Sequence, residues 1–169
     1  MNFQGIEVYM ERAMFGAGCF WGVEEIIRKI PGILKTEVGY AGGHTENPTY
    51  NQVKTGETGH AEVIYIEFDE TILSFKDLLG YFFRLHNPTT LNRQENDIGS
   101  QYRSVIFCVD ENQKAIARLV KNEVEVSKKW RDPIVTIIQD WATFYTAEAY
   151  HQDYLQKNPL GYNCHYLRD

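Results

Sequence analysis

Cys19 lies in the run Gly16-Ala-Gly-Cys-Phe-Trp-Gly22, where glycines at 16, 18 and 22 allow tight turning and the close approach of another molecule. The pattern around it predicts a strand over 10–16 giving way to a helix over 19–30. A cysteine at a helix start faces unpaired backbone N–H groups and the positive end of the dipole. Both favour thiolate, so the expectation is a lowered pKa and a reactive sulfur. The same position also suits a small hydrophobe packed under the helix. Phe20 and Trp21 follow at once. Beside a nucleophile they form an apolar seat for a small methyl-bearing group; otherwise they are core or capping aromatics.

Two further cysteines differ from it in context. Cys108 sits inside the apolar run Val105-Ile-Phe-Cys-Val109 and reads as an inert core thiol. Cys164, in Gly161-Tyr-Asn-Cys-His-Tyr166, falls in a tail read as irregular and mobile. It is either an incidental surface thiol or the resolving partner of a helix-start nucleophile. An odd cysteine count and no C-x-x-C exclude a disulfide framework, a zinc ribbon and a thioredoxin-type motif.

Glu62, in Gly59-His-Ala-Glu62, opens the clearest strand. It is a proton donor if burial raises its pKa, and a solvated strand-edge carboxylate otherwise. His60-x-Glu62 resembles the start of a zinc-deaminase signature, but the Pro-Cys-x-x-Cys half is missing. Tyr40, in Gly39-Tyr-Ala-Gly-Gly43, and Tyr102, closing Asn96-Asp-Ile-Gly-Ser-Gln-Tyr102, carry phenols able to hydrogen-bond a polarised oxygen. Taken alone, each is an ordinary loop or core tyrosine, and Asp97 an ordinary turn cap.

The elements that must hold these residues follow from periodicity. Val23, Ile26, Ile27 and Ile30 recur on one helical face, and Pro31-Gly32 stops the helix. Strands are expected over 33–40, 60–68, 102–109 and 133–139. Helices are expected from the capping-box start Ser74-Phe-Lys-Asp77 to His86, from Asp110 to Lys128, and over 147–157. Two long polar stretches, 41–59 and 87–101, read as functional loops. The order is β-α-β-β-α-β-α-β. Its first six elements match a ferredoxin-like β-α-β-β-α-β core, so the expected fold is an α+β sandwich with long loops and an irregular C-terminal tail.

The chain has 169 residues, 43% hydrophobic and 24% charged, and fits one globular domain over 1–169. The net charge of −6 gives no basic footprint for nucleic acid. No apolar run approaches the ~18 residues of a membrane span. Met1-Asn2-Phe3-Gln4-Gly5 lacks the features of a secretion leader, so the expectation is a cytoplasmic protein.

Read together and in order, Gly18-Cys-Phe-Trp-Gly22, Gly39-Tyr-Ala-Gly-Gly43, Asn47-Pro-Thr-Tyr50, Gly59-His-Ala-Glu62, Asn96-Asp97 with Gln101-Tyr-Arg-Ser104, and His151-Gln-Asp-Tyr-Leu155 with Asn158-Pro159 resemble the A-type peptide methionine sulfoxide reductases. The resemblance runs from about residue 12 into the tail. It implies Cys19 as nucleophile, Glu62 as proton donor to the sulfoxide oxygen, and Tyr40 and Tyr102 as the phenols holding that oxygen. It further implies Phe20 and Trp21 as the methyl seat, Asp97 as a polar residue of the pocket and Cys164 as the resolving cysteine. The implied reaction reduces methionine S-sulfoxide, free or in proteins, with thioredoxin as reductant and with no metal or cofactor. A monomer is expected. Asn87 and Glu95 depart from the family pattern, where Asp and Gly are expected. With no cysteine after Cys164, resolution is expected in one step.

Two other functions fit parts of the pattern. A thiol hydrolase or acyltransferase would pair Cys19 with His60 or His151, leaving Cys164 without a role. A redox-sensing or peptide-binding module would use Cys19 and Cys164 as a switch without turnover.

Overall fold

A computed structural model describes residue 5 and residues 7–169 of the chain. Residues 1–4, on which the leader expectation mainly rests, lie outside the described residues. The first strand, β1 (Met10–Ala17), alternates its side chains between two buried faces. It feeds α1 (Phe20–Ile27), which is shorter than the expected 19–30. The N–H groups of Lys29 and Ile30 bond three residues back, tightening the chain into a turn before Pro31. Next come β2 (Ile33–Ala41) and the first polar stretch, which holds a short helix, α2 (Tyr50–Lys54). Thr49 and Gln52 form a reciprocal capping box there. Five helical residues are too few to display a hydrophobic period, so the sequence pattern misses them.

The next strand is β3 (Ala61–Asp69), followed by α3 (Phe75–Leu85). Ser74 accepts the Asp77 N–H at 3.0 Å, so its side-chain cap forms as expected. The second polar stretch folds into a small hairpin, β4 (Arg93–Gln94) and β5 (Asp97–Ile98), and a 3₁₀ turn over Ser100–Tyr102. Beyond it lie β6 (Ser104–Cys108) and α4 (Glu111–Val126), capped by Asp110 as expected. The last expected strand starts later than predicted, as β7 (Ile137–Asp140). A two-residue strand, β8 (Tyr145–Thr146), was not anticipated. The single helix expected over 147–157 is divided into a 3₁₀ turn over Ala149–His151 and α5 (Tyr154–Lys157). Asp153, at φ 53°, interrupts helical backbone between them.

Six strands form one mixed sheet in the order β7-β6-β1-β3-β2-β8. Neighbours are antiparallel except the parallel pair β6–β7. Ala13, Phe15, Ala17, Ile64, Ile66, Phe68 and Ile106 bury one face against α1, α3 and α4. Met14, Val63, Val105 and Phe107 bury the other under Trp141, Ala142 and Phe144. No helix among the described residues is long and apolar enough to cross a membrane.

The tail after Lys157 has no regular structure beyond turns, as expected, but it is docked, which the reading of a mobile tail did not anticipate. His165 is buried, with its Nε2 2.6 Å from the Ala17 carbonyl. The Arg168 N–H donates to the Arg84 carbonyl at 3.0 Å, and Arg84 Nε donates back to the Arg168 carbonyl at 2.7 Å. The tail is thus pinned at two points after Cys164.

Candidate active site

The head of α1 is placed by β1. Gly18, at φ +88°, turns the chain out of the strand, a conformation that disfavours any side chain. Cys19 follows as the helix N-cap, without a side-chain capping bond, and is 8% exposed. One residue on, the Phe20 N–H donates to Glu62 Oε1 at 3.2 Å. Glu62 reaches this point because β3 pairs with β2 in the register Tyr40↔Glu62. Nucleophile candidate and acid candidate therefore meet across the helix start.

Burial sets the electrostatics here. The Glu62 carboxyl is pushed up to about 8, because burial disfavours its charge more than the Phe20 N–H supports it. The Cys19 thiol is also pushed well up, by burial first and then by the negative charge on Glu62. The Trp21 backbone N–H pulls the other way and is outweighed. The expected thiolate at the helix start is thus corrected: an eight-residue helix end does not offset desolvation and a neighbouring carboxylate. Around neutral pH both rest uncharged, a thiol and a carboxylic acid, each buried at the head of α1.

Phe20 and Trp21 are locked by aromatic neighbours. The Trp21 indole N–H donates to His151 Nδ1 at 2.9 Å, and the ring stacks on Tyr154 with centroids 3.8 Å apart. Phe20 packs against Tyr40 and His151. These contacts fix both rings beside Cys19.

The tyrosines fall out differently from expectation. The Tyr40 hydroxyl is buried and donates to Glu148 Oε1 at 3.0 Å. The other oxygen of Glu148 accepts the Tyr50 N–H at 3.0 Å. Tyr40 therefore ties Glu148 and the start of α2 to the sheet, and its proton is committed there. Tyr50, quoted in the sequence motif without a role, faces the site instead. Burial pushes its phenol to about 12, and the charges of Glu62 and Cys19 add to the shift. Tyr102 is also raised, by burial and then by Glu62. Among the described residues neither the Tyr50 nor the Tyr102 hydroxyl has a hydrogen-bond partner. The Thr49–Gln52 capping box was the one sequence signal that α2, and with it Tyr50, is rigidly placed.

Asp97 joins this group from the β4–β5 hairpin. It accepts the Tyr162 hydroxyl at 3.1 Å and lies 3.8 Å from Cys164 Sγ. Its carboxyl is raised by burial, and its charge in turn raises Cys19, Glu62, Tyr50 and Tyr102. Cys164, half-buried, has its thiol raised by burial; the Tyr162 hydroxyl pulls the other way, and Asp97 and Glu95 add to the rise. Glu95 adopts φ 52° at the first turn position of the hairpin, where glycine is at ease, and its carboxylate sits 3.7 Å from Arg168. Asn87 caps its own turn by accepting from Thr89, and Gln94 brackets its backbone.

Tail and helix touch where α1 has no side chain. A Cβ on Gly22 would lie 2.4 Å from Asn163 Oδ1 and 2.6 Å from His165 Nδ1. Gly22→Ala should therefore expel residues 163–165. Alanine favours the helix itself by about 1 kcal/mol, so the global unfolding midpoint should move little. Amide exchange across the tail should instead rise sharply, which hydrogen-exchange mass spectrometry would read.

The histidines offered as partners for Cys19 are engaged elsewhere. His60 Nδ1 accepts the Gly43 N–H at 2.9 Å and its Nε2 donates to the Thr45 carbonyl at 2.7 Å. His151 Nδ1 is taken by Trp21, so the hydrolase reading has no base in place. Cys108 is buried in the core, its thiol pushed up to about 11. A cavity of about 820 Å³ between α3 and α4 is lined by none of the residues around Cys19. Among the described residues, no group of three or more His, Cys, Asp or Glu is placed to hold a metal ion.

Comparison with known proteins gives the family. Residues 11–169 match the family described as Peptide methionine sulfoxide reductase. Over 158 residues the chain is 53% identical to Peptide methionine sulfoxide reductase MsrA of Methanothermobacter thermautotrophicus, covering 94% of this chain and 93% of that one. The crystal structure of Mxr1 from Saccharomyces cerevisiae in reduced form superposes with a TM-score of 0.90 at 36% identity, covering 98% of each chain. The same yeast protein in complex with Trx2 superposes with a TM-score of 0.65 at 26% identity, covering 98% of this chain and 97% of that one. The chain belongs to the peptide methionine sulfoxide reductase family.

Proposed function

We propose that the chain reduces methionine S-sulfoxide, free or in proteins, through thiol chemistry at Cys19 with recycling by thioredoxin. The observation that carries this is the burial of both a thiol and a carboxylic acid at the head of α1. A sulfoxide sulfur is electrophilic once its oxygen is hydrogen-bonded or protonated. Glu62, protonated up to about pH 8, is the acid for that oxygen. Tyr50 and Tyr102 hold the oxygen without adding charge, and Tyr40 acts as a strut through Glu148. Phe20 and Trp21 seat the methyl group, and Asp97 borders the pocket.

Cys19 gives up its proton as it attacks the sulfoxide sulfur. Glu62 protonates the oxygen; the methionine sulfur–oxygen bond and the transient sulfur–sulfur bond break as a Cys19 sulfur–oxygen bond forms, so the sulfide leaves two electrons richer and Cys19 is left two electrons poorer as sulfenic acid. The Cys164 thiol then displaces that hydroxyl: a Cys19–Cys164 disulfide forms and water departs. Thioredoxin, a dithiol, reduces the disulfide. The yeast neighbour captured with Trx2 supports that assignment.

Finer features of the reading go with this function. The four inner strands, in the order β6-β1-β3-β2 with α1 and α3 as crossovers, support a ferredoxin-like core. We place the enzyme as a single domain, monomeric, in the reducing cytoplasm, where its three free cysteines stay reduced between turnovers.

Cys164→Ser tests the resolving role. It should form one methionine per chain, leave a trappable sulfenic acid on Cys19, and lose thioredoxin-driven turnover. Undiminished turnover with thioredoxin would remove Cys164 from the mechanism.

A further inference from the structure

We propose that His165 is a catalytic residue of the resolving step, accepting the Cys164 thiol proton as that cysteine attacks oxidised Cys19. The inference rests on Cys164 being the resolving cysteine.

The tautomer of His165 is fixed by its surroundings. Nε2 lies 2.6 Å from the Ala17 carbonyl, and a carbonyl only accepts, so Nε2 carries the hydrogen. Nδ1 is then the lone-pair nitrogen. It stands 3.6 Å from Cys164 Sγ, within reach of a thiol hydrogen bond. The ring has little freedom to turn away. It is buried against the side-chain-free surface of Gly18 and Gly22, and its backbone N–H donates to Asn163 Oδ1 at 2.9 Å. Ala17 is also the last residue of β1, two before Cys19. One strand end thus presents the nucleophile and sets the tautomer of the base for its partner.

The charges around the ring favour a passing proton over a held one. Arg168 on the tail opposes an imidazolium, and burial is the larger effect, lowering His165 to about 4. His86, at the end of α3, is buried and neutral as well, lowered by burial to about 3. The Nδ1 lone pair is therefore open throughout the neutral range. Asp97, the competing acceptor, lies farther from the sulfur at 3.8 Å and already takes the Tyr162 hydroxyl. Burial makes an unaided Cys164 thiolate hard to form; the Tyr162 hydroxyl beside it supports the thiolate, while Asp97 and Glu95 oppose it.

The step balances without a further reagent. The Cys164 S–H bond breaks and its proton moves to Nδ1. The sulfur–sulfur bond forms as the sulfur–oxygen bond of the Cys19 sulfenic acid breaks. The proton then passes to the departing hydroxyl, which leaves as water. Cys164 rises and the Cys19 sulfur falls by one formal oxidation unit each, so the disulfide carries the two-electron oxidation that the sulfoxide left on Cys19.

Rapid-quench single turnovers of the full chain with methionine S-sulfoxide separate the two steps. Methionine formation reports the first, and loss of the second thiol reports the resolving step. His165→Ala should leave methionine formation unchanged and slow disulfide formation by about 100-fold at pH 7. His165→Gln, which keeps an amide donor for the Ala17 carbonyl, should behave alike and guards against a tail that fails to dock. Below about pH 8, where Glu62 still supports the first step, disulfide formation in both variants should rise about tenfold per pH unit, while the wild type stays flat. Wild-type resolving rates in both variants would overturn the proposal. So would a slow rate that does not rise with pH in this range, since that marks lost docking and not a lost base. A wild-type chain that loses only one thiol would instead overturn the reading of Cys164.

Discussion

Cys19→Ser should abolish reduction of methionine S-sulfoxide, lowering the first-turnover rate by on the order of 10⁴-fold or more. A serine hydroxyl is nearly the same size and fits the buried N-cap position, so folding should be untouched. What serine lacks is a polarizable sulfur that can bond to the sulfoxide sulfur and keep its oxygen as a sulfenic acid. With no sulfenic acid there is nothing for Cys164 to attack, and all thiols should survive the substrate. Methionine release by the variant, measured without reductant, checks this directly. Appreciable methionine formation would move the nucleophile elsewhere.

Glu62→Gln carries the second large effect. The amide can still accept the Phe20 N–H, so the head of α1 should keep its geometry. It cannot give a proton to the departing oxygen, and the first step should slow by roughly 10²–10⁴-fold. The wild-type first step should itself fall as pH rises through about 8, where Glu62 loses its proton. That limb of the pH profile should vanish in the variant. Stability should move the opposite way. The folded carboxyl is raised from 4.5 to about 8, so between those values the native state holds a proton that the unfolded chain releases. The group's stability contribution is full below 4.5 and falls as pH rises toward 8. Above that, wild type carries a penalty on the order of 5 kcal/mol from the buried charge, which glutamine removes. A slower yet more stable variant at pH 8–9 separates lost acid catalysis from damage to the fold. An unchanged first-turnover rate would sink the proton-donor role.

What was legible in the sequence divides along physical lines. The long strands around Ala13–Ala17 and Val63–Phe68 and the face of α1 announce themselves because burial on regular elements imposes a period. Cys19 and Glu62 were legible because each stands at a junction between a glycine turn and such an element. Elements of two to five residues were not: α2, β8 and the β4–β5 hairpin are held by caps and tertiary partners. The role given to Tyr40 depended on where its hydroxyl points, and Glu148, 108 residues away, decides that. The direction of the Cys19 shift was misjudged for a similar reason. The helix start is local in sequence, while its burial and the nearby Glu62 charge come only from the fold. The tail looked mobile because it lacks periodicity, yet two glycines of the active-site run form the surface on which His165 docks.

The most direct measurement is a thiol count before and after one addition of methionine S-sulfoxide to the reduced chain, without reductant, with methionine quantified in parallel. The three cysteines start free. The account predicts loss of two thiols for one methionine formed, with Cys19 and Cys164 recovered in a single disulfide-linked peptide pair. Three thiols remaining, with no methionine released, would contradict it.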